Sequence, residues 1–312
     1  MTEIFRSPRF LDHDTGAHPE CAARLHPILR RLDDTSRPEL RLLEPSHREV
    51  DKLLADVHTT EYLKKLERFA DRGTGRIEAD TVVCPESLDV ARLAVSAALH
   101  AVDDVLEKRC RNALCLVRPP GHHARPTTAM GFCLFANIAI AAKHAMQQHR
   151  VNRVLIVDWD VHHGNGTQEI FYDSDRVAFV SVHRHPFYPG TGMSDETGTG
   201  AGLGSTFNLP LEFGTPRQQI LDQFATYLHD AAARVRPELV LLSAGFDAHR
   251  LDPIGSLKLE TEDFGTLTRL VTEVADQYCD GRLVSLLEGG YNPTALAESL
   301  EIHIESLIDA DP

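Results

Sequence analysis

Val154-Leu155-Ile156-Val157-Asp158-Trp159-Asp160-Val161-His162-His163-Gly164-Asn165-Gly166 passes from wholly apolar to densely polar within a few residues. A short continuous apolar run rich in β-branched residues is the pattern of a strand buried on both faces, as in a parallel sheet. Open α/β sheets bind ligands where the carboxyl ends of their strands emerge. Asp160 and His162 are two positions apart, so on an extended backbone both side chains point the same way. Together they make a chelate of one carboxylate and one imidazole.

The same punctuation recurs along the chain. Apolar runs at 114–117, 177–182, 239–242 and 283–287 alternate with helical patterns at 88–108, 136–148, 217–234, 262–278 and 295–307. Such alternation predicts a mostly parallel sheet covered by helices on both faces. After the runs come Arg118-Pro119-Pro120-Gly121-His122-His123, His183-Arg184-His185, Ser243-Ala244-Gly245-Phe246-Asp247 and Glu288-Gly289-Gly290-Tyr291. One edge of the sheet is therefore expected to carry most of the chemistry. The long stretch 186–204, rich in Gly, Thr and Pro, is expected to border it. No linker, repeat or low-complexity tract interrupts the pattern, so residues 1–312 are expected to form one domain.

Composition narrows the partners. The 312 residues are 42% hydrophobic and 25% charged, with a formal net charge of −14. That balance argues against direct nucleic acid binding, which needs a basic face. A cationic substrate is compatible with it. The six cysteines form no CxxC pair and read as buried free thiols. No apolar run approaches the ~20 residues of a membrane span, and the first residues lack a signal-peptide core. A soluble, cytoplasmic protein is expected, and an oligomer is compatible with the sequence.

Hydrolysis at a zinc ion needs three protein ligands and one open position. Asp160 and His162 supply two, and Asp247, closing another strand, is the candidate third, with a helix N-cap as its alternative role. Two carboxylates and one imidazole form a hard set, which leaves Fe²⁺ or Mn²⁺ open beside Zn²⁺. His122 and His123, after a rigid Pro-Pro-Gly turn, suit a proton shuttle near neutral pH. Each needs a partner for its far nitrogen, and Asp158 and Asn165 are the candidates. The imidazole on Asn165 should be the neutral one that accepts a proton. Tyr291, after two glycines, can approach the ion and donate to a developing oxyanion.

These motifs, in this order, resemble the zinc-dependent histone deacetylases and their bacterial relatives, including acetylpolyamine amidohydrolases. The likeness also takes in Gly131-Phe132, Pro189-Gly190-Thr191-Gly192 and, near the N-terminus, His18-Pro19-Glu20 with Arg24-Leu25. It spans about residues 5 to 305. The resemblance implies a three-layer α/β/α arginase/deacetylase-like fold. It implies Zn²⁺ held by Asp160, His162 and Asp247, His123 as general base and acid, His122 on Asp158 as electrostatic support, and Tyr291 polarising the acyl carbonyl. Phe132 and Tyr188, the latter where the family commonly has Phe, would wall a channel for a lysine-like stem, with Gly131, Gly290 and Ile254 alongside. Asn165 follows the class II-like branch. A structural K⁺ near Asp158, Asp160 and Ser181 is also implied.

The implied reaction is hydrolysis of an acyl-lysine amide in a peptide or protein. Acetylpolyamines are the alternative, disfavoured because Ile254 stands where polyamine-specific members carry an acid. Two further rivals are a dinuclear-manganese ureohydrolase, which needs more bridging aspartates than Val161 and His163 supply, and a catalytically silent acyl-lysine-binding protein.

Overall fold

The computed structural model describes residues 1–34 and 37–310. Eight strands form one sheet: β1 (Thr2–Phe5), β2 (Leu40–Leu43), β5 (Asn112–Cys115), β6 (Val154–Asp158), β7 (Val177–Arg184), β8 (Thr206–Leu211), β9 (Leu239–Ala244) and β10 (Leu283–Leu287). Two-residue strands β3 (Gly75–Arg76) and β4 (Val82–Val83) pair separately. The order across the large sheet is β2-β1-β5-β10-β9-β6-β7-β8. Every pairing in it is parallel, and antiparallel pairing between strands is confined to β3 and β4.

Helices α1 (His26–Asp34), α2 (Asp51–Ala55), α3 (Thr60–Ala70), α4 (Ser87–Leu106), α5 (Asn137–Gln148), α6 (Asn165–Phe171), α7 (Arg217–Val235), α8 (Thr261–Cys279) and α9 (Pro293–Asp309) flank the sheet. α4 and α5 pack together on one face, joined by α2, α3 and α6, while α7, α8, α9 and α1 pack in succession on the other. This is the three-layer α/β/α arrangement. Leu155, Ile156, Leu241, Leu242 and Leu286 are fully buried between the layers. Each contributes about 1.5–3 kcal/mol on removal from water. No described helix is long and apolar enough to cross a membrane, and the six cysteines are free thiols, five of them buried.

Three strands of the large sheet, β1, β2 and β8, were not anticipated. In β1, Thr2 and Glu3 are buried, Glu3 pairing with Arg41 of the neighbouring β2, so the polar residues that disguise the strand are met by tertiary partners. β8 contains Pro210, which an edge strand tolerates because its outer N–H needs no partner. β5 begins at Asn112, two residues before the apolar run, and its ladder ends ahead of Pro119-Pro120, which have no N–H to offer. Asn112 is satisfied inside the fold because its Nδ2 donates to Leu307 O at 3.0 Å.

Local signals set the helix starts near the edge where the strands end. Asn292 caps α9, its Oδ1 accepting from Thr294 and Ala295 N–H at 3.1 Å each, with Pro293 in the first turn. α6 opens at Asn165, and the next two N–H groups, of Gly166 and Thr167, donate to His122 O at 3.1 and 3.2 Å. Both caps pin a site residue to a helix end.

Candidate active site

Because the large sheet is all parallel, the segments that follow β5, β6, β9 and β10 emerge on one edge. They bring Asp160, His162 and Asp247 together, with the candidate ligand atoms all within 4.8 Å of one another. His162 Nδ1 lies 2.9 Å from Asp160 Oδ1 and 3.1 Å from Asp247 Oδ2. The remaining carboxylate oxygens are held by backbone: Gly289 N–H donates to Asp160 Oδ2 at 2.8 Å, and Val161 N–H to Asp247 Oδ1 at 2.9 Å. A Cβ on Gly289 would fall 2.3 Å from Asp247 Oδ2 and 2.5 Å from Asp160 Oδ2, so only glycine lets the two carboxylates converge there.

The electrostatics of this triad call for a cation. All three side chains are buried. Burial and the neighbouring Asp160 charge push Asp247 up to about 7. Burial opposes a charge on His162, yet the hydrogen bonds and charges of both aspartates lift it to about 10. Buried Asp247 Oδ2 has only the 3.1 Å ion-pair contact with His162 Nδ1 and accepts no well-formed hydrogen bond, an under-satisfied acceptor of the kind that a metal ion satisfies. The residues therefore fit a divalent ion bound by one nitrogen and two carboxylates.

Beside the triad stand the tandem histidines, ring centroids 4.0 Å apart. His122 Nδ1 is 2.9 Å from Asp158 Oδ2. Burial works against its charge, but Asp158, Asp160 and Glu288 outweigh it and hold His122 well above its ordinary range, as a cation. His123 Nδ1 lies 2.7 Å from Asn165 Oδ1. An amide oxygen only accepts, so the proton sits on Nδ1 and leaves Nε2 bare. Burial, then the charges of His122 and His162, push His123 well below its ordinary value. One imidazole is charged because carboxylates surround it, and the other is neutral because it is buried beside two imidazoles with only an amide as its partner.

A cavity of about 210 Å³ reaches this cluster, lined by Asp80, His123, Gly131, Phe132, His162, Phe187, Tyr188, Ile254 and Tyr291. Phe132 meets Tyr291 edge-on at 5.7 Å, and Tyr188 meets His123 likewise at 5.3 Å. Gly131 has φ +54°, and a Cβ there would sit 2.2 Å from His123 Cδ2. Glycine is thus what allows this wall to ride on the imidazole. Burial lifts the Tyr291 phenol well above its ordinary value, so it stays a donor.

Some positions differ from expectation. Gly290 is not on the cavity surface; it lies behind Tyr291, its carbonyl accepting from Arg24 Nε at 2.6 Å. Ser181 sits opposite Asp158 in the β6–β7 register, with its hydroxyl 2.9 Å from His183 Nδ1. Phe187 and Asp80 were missed. Phe187 stacks on His162 at 5.2 Å and an interplanar angle of 15°, but it adjoins Tyr188 in a loop with no periodicity to flag it. Asp80 arrives from the short stretch before β4, far from every motif in sequence. Two other groups could gather around an ion, His122-Cys133-Glu288 and Asp103-His144-His149. In the second, Asp103 already receives both imidazoles at 2.6 Å and Arg48, which meets its charge.

Known proteins resemble this chain over most of its length. A family model described as the histone deacetylase domain matches residues 18–307. A probable deacetylase from Archaeoglobus fulgidus is 40% identical over 296 residues, covering 94% of this chain and 82% of that protein. A histone deacetylase-like amidohydrolase from Pseudomonas aeruginosa is 39% identical over 275 residues, 88% of this chain and 72% of its own length. Among solved structures, the HDA15 HD domain aligns with a TM-score of 0.89 at 35% identity, over 100% of this chain and 90% of that one.

Proposed function

Since the chain belongs to the histone deacetylase family, we propose that it hydrolyses the amide of an acylated lysine side chain in a peptide or protein. Residues 1–312 act as one catalytic domain in this reading. The observation that carries it is the meeting, at one cavity, of the Asp160-His162-Asp247 cluster, a neutral His123 and the Tyr291 phenol.

Asp160, His162 and Asp247 would hold the metal ion, Zn²⁺ with Fe²⁺ as the alternative, which supplies Lewis acidity toward water and the acyl carbonyl. Phe132 and Tyr188, with Phe187 and Ile254, enclose the aliphatic stem and exclude bulk solvent. His123 Nε2 takes a proton from water as its oxygen bonds to the acyl carbon. The Tyr291 hydroxyl donates to the carbonyl oxygen as negative charge gathers on it. As the C–N bond breaks, His123 returns its proton to the departing amine nitrogen, leaving a carboxylate and a free lysine. Charged His122, steadied by Asp158, keeps positive potential beside the reacting oxygen atoms. A structural K⁺ near Asp158, Asp160 and Ser181 belongs to the same proposal, as does a cytoplasmic location.

N-acetylpolyamine is the second reading, and Asp80 favours it. Although Ile254 is apolar, Asp80 places a carboxyl group among the cavity-lining residues, where a distant ammonium could pair. Steady-state rates on an acetyl-lysine peptide and on an N-acetylpolyamine decide between them. We expect kcat/KM to favour the peptide at least ~10-fold, which corresponds to about 1.4 kcal/mol of transition-state discrimination. A preference of that size for the polyamine would overturn the lysine assignment, and binding of either without turnover would overturn the enzyme.

A further inference from the structure

We propose that Asp252 is a positioning residue for this reaction, clamping the backbone of Tyr291 so that its phenol meets the acyl oxygen. The proposal rests on the oxyanion-donor role given to Tyr291 above. Tyr291 follows two glycines, and Gly290 has φ +125°, a region that ordinary side chains rarely enter. A Gly-Gly hinge left to itself would let the phenol wander, because glycine restrains the backbone least.

The peptide unit joining Gly290 to Tyr291 is instead gripped from both edges. On one edge, the Gly290 carbonyl accepts from buried Arg24 Nε at 2.6 Å. On the other, the Tyr291 N–H donates to Asp252 Oδ2 at 2.7 Å. A cation and an anion thus hold the two ends of one peptide dipole, which fixes the rotation of its plane. Asp252 is itself fixed, because its Oδ1 accepts from the N–H groups of Ile254 and Gly255 at 2.9 Å each. Its side chain is almost enclosed, with 9% of the residue exposed. One carboxylate therefore links the wall residue Ile254 to the donor Tyr291, with a separate oxygen for each.

That division of labour makes Asp252→Asn selective. The amide oxygen can keep the two N–H groups of the 254–255 turn. The amide nitrogen then faces the Tyr291 N–H, donor against donor. Channel and ligands stay in place, and only the tyrosine loses its anchor.

The test is a double-mutant cycle with Tyr291→Phe, run on metal-loaded enzyme with rates normalised to bound metal. Asp252→Asn should lower kcat by about 10-fold, the scale of one hydrogen bond to a charged group, with KM changed by less than about 2-fold. In the Tyr291→Phe background the same substitution should cost less than about 2-fold, since no phenol remains to aim. A full loss in both backgrounds, an unchanged kcat, or a rise in KM alone would overturn the proposal. If Asp252→Asn does not fold, the α-hydroxy acid analogue of tyrosine at position 291 removes only the N–H and must produce the same kcat loss; unchanged kcat there also overturns it. Full activity in Tyr291→Phe alone would instead refute the donor role on which the proposal rests.

Discussion

Asn165→Asp isolates what keeps the proposed base neutral. His122 and His123 are neighbours with matched geometry, each Nδ1 within 3 Å of a side-chain oxygen: 2.9 Å to Asp158 and 2.7 Å to Asn165. The Nδ1 partners differ in charge, and Asp160 and Glu288 add to the pull on His122 while His122 and His162 press on His123; His122 lies well above its ordinary value and His123 well below. A carboxylate at 165 would place a negative charge ~4 Å from the imidazolium. At an effective dielectric of ~20 that is worth about 4 kcal/mol, or about 3 pKa units. Burying the new charge takes back part of it, leaving a rise of at least about one unit. The base acts deprotonated, so the acid limb of kcat/KM falls at its pKa. In the parent protein that limb should lie below pH 6.5, the ordinary histidine value. In Asn165→Asp it should move toward alkaline pH by at least about one unit. The assay is a pH–rate profile on an acetyl-lysine peptide across the stability range of both proteins. A limb displaced by less than about 0.3 unit would refute the argument that the partner's charge tunes His123.

Three other outcomes follow from the structure. Asp247→Ala should abolish metal binding and deacylation together, read by metal stoichiometry after desalting; a metal-replete, active variant would remove Asp247 from the ligand set. Glu20 is fully buried against Arg118 at 2.6 and 2.8 Å and Arg24 at 2.9 Å. Glu20→Gln strips the charge from this cluster and should cost about 3–5 kcal/mol, a fall in Tm of roughly 5–8 °C. Burial opposes ionisation of Glu20, but Arg118 and then Arg24 hold it far below the ordinary 4.5. Its stabilisation is therefore complete above that pH and lost only as pH drops through the depressed folded value, so the Tm gap should persist throughout neutral conditions and close in strong acid. Gly131→Ala places a methyl group against His123 at a backbone angle hostile to alanine; kcat should fall at least ~10-fold with metal content unchanged, and an unaltered kcat would contradict the tight wall.

What the amino-acid sequence disclosed depended on where the physics was local. β6, β9 and β10 are largely apolar runs buried on both faces, and the polar segments that follow them gather at one edge of the sheet. β1 was hidden because Glu3 is made tolerable by Arg41, which belongs to another strand. Asp160 and His162 were legible from alternation alone, whereas Asp80 and Phe187 reach the cavity by routes that only the folded chain defines. The first loop shows the same divide. His18, Glu20 and Arg24 carried a family likeness but no local function. In the fold, His18 meets Phe132 edge-on at 4.6 Å, and Glu20 and Arg24 form the buried support behind Tyr291.

β10 comes last in chain order among the described strands, yet it sits between β5 and β9 in the middle of the sheet. On the ribosome, the N-terminal trio β2-β1-β5 and the later group β9-β6-β7-β8 must wait, each with an open inner edge, until residues 283–287 emerge to seal them. Tyr291 leaves the same strand end moments later, so closure of the scaffold and arming of the enzyme coincide. A chain lacking this strand would present two unpaired borders and no Tyr291, and would be prone to aggregate rather than to work in part.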